Sequence, residues 1–249
     1  MLKYYKLDSF IYKLTTHLTG FNLTCAICGD ELFNNRYHNL CEYCYNQLTL
    51  NEGKECKLCG SIIPSTSPSE YCSYCANEKV YYDALRAAVV MDGFSRRFVL
   101  EVKANHCLDY AKIMAEFMYE KFLKLDFNVD IATPVPKFIT GKTHFNHSEK
   151  IAIEFCRLSN LPLSDALIKS VKTEGQESKS REQRAKNVSQ SFSITDKNDF
   201  MNKNVLIIDD VRTTGATMNE CAKTLKLKAQ AKLVYGISFS GTKTVIPTE

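Results

Sequence analysis

Two adjacent aspartates, Asp209 and Asp210, follow an apolar run and precede a threonine-rich turn in the stretch VLIIDDVRTTGAT. Such a turn offers backbone amides, hydroxyls and a helix N-terminus together, and these groups bind a phosphate. Gly215 lets the backbone approach that phosphate closely. Carboxylates repel a phosphate, but they accept hydrogen bonds from vicinal hydroxyls or hold a hydrated Mg²⁺. The stretch therefore predicts a site for a phosphorylated sugar.

Eight of the eleven cysteines form four Cys-x-x-Cys pairs, and the first two pairs recur 31 residues later as an internal duplication. Two residues between cysteines let both sulfurs converge on one tetrahedral ion, and four thiolates complete a structural zinc site. Free cysteines, a redox pair and an iron–sulfur cluster are the alternatives. The predicted zinc ligands are Cys25, Cys28, Cys41, Cys44, Cys56, Cys59, Cys72 and Cys75.

The spacing of the thiols leaves their pairing open. Consecutive pairs share an ion in the simplest arrangement, and a cross-braced arrangement fits as well. His38 is an alternative ligand, although a surface position is the more common one for such a histidine. Cys107, Cys156 and Cys221 stand alone in helical patterns, and we expect them to fill the core.

Strand and helix patterns alternate in residues 80–249. Helical spacing predicts helices at 94–124, 144–159 and 216–229, the first of them broken near Asn105. Such alternation implies an α/β fold with a mainly parallel, twisted sheet flanked by helices, in which ligands bind at the carboxyl ends of the strands. The predicted strands are 86–91, 129–135, 166–171, 187–194, 203–209 and 231–240. The predicted domains are an N-terminal helix at 1–20, a zinc-binding module of CxxC repeats at 21–79, and the α/β domain at 80–249.

Composition narrows the class of protein. The chain has 249 residues, of which 45% are hydrophobic, and no apolar run is long enough to span a bilayer. The N-terminus lacks the apolar segment of a secretory signal, so we expect a cytoplasmic protein without membrane insertion. The net charge of +4 suits an anionic ligand or a nucleic acid.

The stretch VLIIDDVRTTGAT resembles the ribose-5-phosphate loop of type I phosphoribosyltransferases, which bind phosphoribosyl pyrophosphate (PRPP). The resemblance implies a type I phosphoribosyltransferase-like domain, with Mg²⁺ bound together with PRPP. It also implies that Asp209 and Asp210 hold the ribose 2- and 3-hydroxyls and that the following loop holds the 5-phosphate. The residues assigned to PRPP in this stretch are Asp209, Asp210, Val211, Arg212, Thr213, Thr214, Gly215, Ala216 and Thr217.

Nearly the whole chain, about residues 25–240, resembles the ComF/ComFC family of competence proteins. The paired CxxC modules, Lys103, the Val-Pro-Lys stretch, an asparagine-containing helix start and QESKSREQRAKNVSQSF carry this resemblance. It implies a pyrophosphate loop at Val135, Pro136 and Lys137, with Lys103 and Arg184 as further PRPP ligands and Asp209, Asp210 and Lys137 as the catalytic set. Gln176, Asn187 and Phe192 match the family pattern around a flexible loop.

The pyrophosphate loop departs from the family pattern at 141–147, where two histidines replace an expected Arg and Gln. Lys142 and Arg181 are additional cations for the pyrophosphate. The polar segment 172–187 is interpreted as a lid that excludes water, with a disordered connector as the alternative.

The family resemblance implies a PRPP-binding protein that supports natural transformation and handles incoming single-stranded DNA in the cytoplasm, near the inner membrane. A helicase or a recombination mediator of DNA uptake is the implied partner, and Tyr37, Tyr43 and Tyr45 are candidates to stack bases. One alternative is a PRPP-dependent enzyme that makes or salvages a nucleotide from a small base. Another is a PRPP sensor without turnover that docks a helicase. Ammonia transfer from glutamine is not expected, because the thiol module stands where a glutaminase would be needed.

Overall fold

The structure is a computed structural model that describes residues 24–32, 38–105, 108–138, 146–170 and 191–242. The chain divides into two compact units, residues 1–48 and residues 49–249. The first tetra-cysteine stretch lies in the first unit and the second lies in the second unit. The predicted boundaries at residues 20 and 79 stay predictions.

The first unit is organised around a cysteine turn and a short helix, α1 (Glu42–Asn46). The Cys25 amide donates to the Asp30 carbonyl at 2.7 Å, which folds the first Cys-x-x-Cys pair into a tight turn. Gly29 closes this turn with a φ of 79°, a conformation that favours glycine. Cys41 caps α1, because its sulfur accepts a hydrogen bond from the Cys44 amide.

The second unit begins with a copy of the same turn and helix. The Cys56 amide donates to the Ser61 carbonyl at 2.8 Å, Gly60 has a φ of 66°, and Cys72 caps α2 (Ser73–Asn77). The antiparallel bridge from Glu55 to Ile62 repeats the bridge from Thr24 to Glu31. The internal duplication in the sequence is thus a duplication of structure.

A four-stranded parallel sheet forms the centre of the second unit. The strands of the unit are β1 (Ala84–Val90), β2 (Ile131–Pro134), β3 (Leu167–Lys169), β4 (Phe192–Ile194), β5 (Asn204–Arg212) and β6 (Leu233–Gly241). The order in the sheet is β1, β6, β5, β2, and every neighbouring pair is parallel. The predicted parallel sheet is confirmed, with its most apolar strand, β5, at an inner position.

The strands β3 and β4 form a separate antiparallel pair, with Leu167 opposite Ile194. Sequence patterns predicted both strands but not that they leave the main sheet. Strand periodicity reports which residues are buried and carries no information about the partner strand.

Helices flank both faces of the sheet. They are α3 (Gly93–Asn105), α4 (Leu108–Leu123), α5 (His147–Ser159) and α6 (Ala216–Ala229), and the predicted break near Asn105 separates the first two. On one face Phe117 of α4 packs edge-on against Phe239 of β6, with 6.0 Å between ring centroids. On the other face Cys221 of α6 packs with Val205 and Ile207 of β5.

The predicted core roles of two isolated cysteines are confirmed, since Cys156 and Cys221 are both buried. Cys107 lies outside the described residues. In the parts of the chain that the structure describes, no helix has the length and apolarity needed to cross a membrane.

Candidate functional site

The two adjacent aspartates lie inside strand β5, which continues to Arg212. Successive side chains of a strand point to opposite faces, so Asp209 and Asp210 face different sides of the sheet. Asp209 continues the row of Val205 and Ile207, on the face covered by α6. Asp210 points the other way and is only 9% exposed.

Asp209 is oriented by the first turn of α5. The Ser148 hydroxyl donates to Asp209 Oδ1 at 2.7 Å, and the Asp210 amide donates to the same oxygen at 3.0 Å. Ser148 is itself buried. A carboxylate held by two donors through one oxygen keeps its second oxygen in a defined direction, which suits recognition of a hydroxyl.

The end of strand β2 lies directly beside these acids. The Val135 amide donates to the Ile208 carbonyl at 2.9 Å, one residue before Asp209. The Asn146 side-chain amide, just ahead of α5, donates to the Val135 carbonyl at 3.1 Å. The predicted pyrophosphate loop therefore starts next to the predicted ribose acids. Lys137 is exposed, two residues beyond Val135.

The threonine-rich turn forms the entry to helix α6. Gly215 is its N-cap residue with a φ of 76°, and the Thr214 hydroxyl accepts a hydrogen bond from the Ala216 amide at 3.3 Å. None of the described residues accepts a hydrogen bond from the amides of Thr213, Thr214 or Gly215. Unpaired amides at a helix N-terminus can bind a phosphate. Thr217 and Val211 are half-buried beside them.

Arg212 is buried, although it was predicted among the residues that contact PRPP. Its guanidinium donates to the Ser61 hydroxyl at 3.2 Å and to the Thr242 carbonyl at 3.5 Å, and its side chain is almost wholly shielded from solvent. A ligand at the loop would meet the backbone of Arg212 and not its guanidinium.

Several predicted site residues lie outside the described residues. Lys103 lies in α3, and its side chain is outside the described part of the chain. The segment 172–187, interpreted as a lid, and the departure at 141–145 fall outside the described residues. The same holds for Lys142, Gln176, Arg181, Arg184 and Asn187. Phe192 is buried in β4, while Pro136 is half-buried.

Sequence reasoning missed Lys169, the last residue of β3. Its ammonium lies 5.8 Å from the centre of the Phe192 ring, and burial lowers the pKa of Lys169 while the nearby Cys221 thiol raises it in part. Burial raises the pKa of Cys221 well above its usual value, and the carboxylate of Asp209 adds to that shift. Lys169 and Asp209 thus approach the same thiol from two elements. The only sequence signal was a lysine ending the apolar run ALI.

The eight predicted zinc ligands form two separate groups of four. Cys25, Cys28, Cys41 and Cys44 form one, and Cys56, Cys59, Cys72 and Cys75 form the other, with the sulfurs of each group within 4.8 Å of one another. The sulfurs of Cys28 and Cys41 lie 3.6 Å apart, as do those of Cys59 and Cys72. Tetrahedral Zn–S bonds of about 2.3 Å require sulfurs about 3.8 Å apart.

The structure resolves the choice that the spacing left open: consecutive pairs share a site, and the arrangement is not cross-braced. In the described residues His38 belongs to neither group. Both tetra-cysteine clusters are consistent with zinc. We call them the first cluster (Cys25, Cys28, Cys41, Cys44) and the second cluster (Cys56, Cys59, Cys72, Cys75).

Hydrogen bonds favour a thiolate in each cluster, and the thiolate is the form that binds a metal. Those from the Cys59 and Cys75 thiols lower the pKa of the Cys56 thiol. Burial raises the pKa of Cys25, but backbone hydrogen bonds from Cys28 and Cys41 outweigh this and bring it down to about 7.

With this geometry in place, comparison with known protein families defines the class of protein. The phosphoribosyl transferase domain family matches residues 147–236, which run from α5 into β6 and include the acids, the loop and α6. The second unit therefore contains a phosphoribosyltransferase domain, and such a domain implies a ligand of the PRPP type. The predicted α/β fold with a parallel sheet flanked by helices is confirmed.

"Competence protein F" from Haemophilus influenzae is a relative of this chain and is 32% identical to it over 111 residues. The match covers 43% of this chain and 48% of that protein, so the chain spans about half the length of the curated relative it matches. The chain is thus a homologue of competence protein F over this part of its length, and the predicted resemblance is confirmed.

Two solved structures are also similar. The glutamine PRPP amidotransferase from B. subtilis, complexed with ADP and GMP, is 22% identical with a TM-score of 0.36, over 51% of this chain and 25% of that one. The purine phosphoribosyltransferase from Pyrococcus horikoshii is 18% identical with a TM-score of 0.31, over 55% of this chain and 91% of that one.

Proposed function

We propose that this chain is a PRPP-binding, phosphoribosyltransferase-like protein that supports natural transformation and handles incoming single-stranded DNA in the cytoplasm. One arrangement supports the PRPP site most directly. Asp209, oriented by Ser148, lies in the carboxyl-terminal half of β5, ahead of a loop in which the amides of Thr213, Thr214 and Gly215 lack partners among the described residues. Ligands of open α/β sheets bind at this end of the strands.

The two halves of the site suit the two ends of a phosphorylated ribose. The second carboxylate oxygen of Asp209 would accept a hydrogen bond from a ribose hydroxyl, and a hydrogen bond to a charged group contributes roughly 1.5–3 kcal/mol. The amides of Thr213, Thr214 and Gly215, at the N-terminus of α6, would bind the 5-phosphate. Asp210 is the second acid assigned to the ribose hydroxyls.

The pyrophosphate end would lie toward the end of β2. Lys137 is exposed there, in the stretch that follows Val135, and its ammonium would neutralise charge on the pyrophosphate. Lys169 approaches the same side of the sheet as Asp209. Mg²⁺, when bound with PRPP, would screen the remaining charge of the leaving group. These residues would contribute position and charge to a transfer reaction.

The part in DNA handling is supported by the homology with competence protein F and by an exposed aromatic residue in the first unit. Tyr43 of α1 is 70% exposed, between two cysteines of the first cluster. Aromatic rings of this kind stack on bases and contribute roughly 1–3 kcal/mol per base. A helicase or recombination mediator of DNA uptake is the proposed partner.

Calorimetry with PRPP and Mg²⁺ on the purified full chain tests this proposal. We expect the wild type to bind PRPP and the variant Asp209→Asn to bind it about tenfold to a hundredfold more weakly. The same variant, placed in the host strain, should reduce transformation. Wild-type protein that gives no heat with PRPP would contradict the proposal.

Turnover separates the alternatives. Pyrophosphate release from PRPP with one particular nucleobase would favour an enzyme that makes or salvages a nucleotide. Binding of PRPP without turnover and without affinity for single strands would favour a sensor that docks a partner. Transformation that survives a complete loss of PRPP binding would exclude the PRPP site from the biological role.

A further inference from the structure

The second cluster packs directly against β1, whose Leu85 also lies beside the loop from Arg212 to Gly215, which we call the phosphate loop. The Leu85 amide of β1 donates to the Leu58 carbonyl at 2.6 Å, inside the Cys56–Cys59 turn. A Cβ added to Gly60 would lie 2.4 Å from the Leu85 carbonyl oxygen, so the turn and the strand touch through their backbones. All four thiols of this cluster are at most 7% exposed.

The start of the phosphate loop is tied to the cluster through Ser61. The Cys59 sulfur lies 3.3 Å from the Ser61 hydroxyl oxygen, which also accepts the hydrogen bond from Arg212. With Cys59 as a metal-bound thiolate, the Ser61 hydroxyl donates to the sulfur and still accepts from the guanidinium, so the hydroxyl bridges the two groups. Arg212 is the residue immediately before Thr213.

The space for this buried arginine is provided by the sheet. A Cβ on Gly241 would lie 2.5 Å from Arg212 Nη2, so only glycine leaves room for the guanidinium. Arg212 Nε is buried and has no hydrogen-bond partner among the described residues. Burying a guanidinium costs free energy unless it is hydrogen-bonded. The two hydrogen bonds that Arg212 makes, to Ser61 and to Thr242, therefore fix its position.

The end of the phosphate loop meets the cluster through Tyr82. The Tyr82 hydroxyl lies 3.9 Å from the Cys75 sulfur, and it is 3.9 Å from the position of a Cβ on Gly215. Leu85 Cδ1 lies 3.4 Å from the same position. The loop from Arg212 to Gly215 is thus flanked at both ends by groups that also touch the second cluster.

From these contacts we infer that the second cluster positions the phosphate loop, with Ser61 and Arg212 as the positioning residues. This inference rests on the proposed function, because it names how that same site is held. Metal at the second cluster and PRPP at the loop then stabilise each other. Coupling of this kind is reciprocal: each ligand raises the affinity of the other by the same factor.

The duplication supplies a matched control for Ser61. Asp30 stands at the equivalent position of the first cluster, one residue after Gly29 as Ser61 follows Gly60. The experiment compares Ser61→Ala with Asp30→Ala in the full chain, measuring zinc content, PRPP affinity by calorimetry and hydrogen exchange of the amides at 213–217. Ser61→Thr keeps the hydroxyl and serves as the rescue variant.

We expect Ser61→Ala to retain both metals, to bind PRPP about fivefold to tenfold more weakly and to exchange the loop amides about tenfold faster. Asp30→Ala should match the wild type, and Ser61→Thr should recover most of the loss. Wild-type affinity and wild-type exchange in Ser61→Ala would overturn the inference. If the wild type itself gives no heat with PRPP, the proposed function fails, while exchange in the ligand-free protein still tests the positioning.

Metal release from the wild type tests the reciprocal effect without a variant that could fail to fold. Zinc transfer to a chelator is followed with and without PRPP. We expect PRPP to slow the release of one of the two metals about fivefold. This metal should be the one in the second cluster, which is the metal that the variant Cys28→Ser still binds. Equal slowing of both metals, or of neither, would overturn the inference.

Discussion

The Ser148 hydroxyl donates to Asp209 Oδ1 at 2.7 Å, across 61 residues of sequence. Replacing Ser148 by alanine removes the donor that orients the carboxylate toward a ribose hydroxyl. We expect Ser148→Ala to weaken PRPP binding about fivefold to tenfold, since a hydrogen bond to a charged group is worth roughly 1.5–3 kcal/mol and part of it is recovered by water. Calorimetry measures the loss.

The control is Ser159→Ala, at the other end of α5, where the hydroxyl donates to the Phe155 carbonyl at 2.9 Å. This variant should leave the affinity for PRPP unchanged. Equal affinities in Ser148→Ala and the wild type would show that Asp209 does not depend on Ser148.

Gly215 gives a prediction for the phosphate loop. An alanine there must adopt a φ of 76°, which costs about 1–2 kcal/mol for a residue with a Cβ. The added Cβ would lie 3.4 Å from Leu85 Cδ1 and 3.9 Å from the Tyr82 hydroxyl, which are ordinary van der Waals distances, so we expect the protein to fold. Denaturant unfolding should show a free energy of unfolding lower by about 1–2 kcal/mol, together with weaker PRPP binding. An unchanged stability would contradict the assigned backbone conformation.

The duplicated glycines form a matched pair. Gly29 and Gly60 both have a positive φ, at 79° and 66°. Among the described residues only Gly60 packs against a strand: a Cβ added to it would lie 2.4 Å from the Leu85 carbonyl oxygen. We expect Gly29→Ala to cost about 1–2 kcal/mol locally. Gly60→Ala should destabilise the second unit by several times as much, because backbone atoms cannot yield. Thermal unfolding of the two variants compares them, and equal losses would contradict the packing.

Metal analysis tests the two clusters. We expect two zinc ions per chain, and one in each of Cys28→Ser and Cys59→Ser, because a tetrahedral site that loses a thiolate binds zinc poorly. The loss in Cys59→Ser should also lower the melting temperature of the second unit, since those four thiols belong to its core. A content of one zinc in the wild type would exclude two independent sites.

Tyr43 tests the DNA-handling proposal. Removing an aromatic ring that stacks on a base weakens single-strand binding by roughly 1–3 kcal/mol, or about fivefold to 150-fold. We expect Tyr43→Ala to lose affinity for single-stranded DNA in this range while its zinc content and PRPP affinity stay at wild-type levels. Fluorescence anisotropy with a labelled oligonucleotide measures the effect. Undiminished affinity would remove Tyr43 from the interface.

Much of the site could be predicted from short stretches of sequence. Four Cys-x-x-Cys pairs place eight thiols in two tight turns and at the starts of two short helices, because the geometry of such segments depends mainly on the residues within them. The stretch from Val205 to Thr217 likewise contains a buried strand, two acids and a helix entry within one segment. Two groups of four thiols and a site for a phosphorylated sugar were predicted from these local patterns.

Only the tertiary structure decided which groups meet across the chain. It paired consecutive thiols, moved β3 and β4 out of the main sheet and brought Ser148 to Asp209. It also turned Arg212 inward to Ser61, 151 residues away in sequence. Contacts at such separations depend on how helices and turns pack on the sheet. Hydrophobic periodicity records that a residue is buried and not what it is buried against.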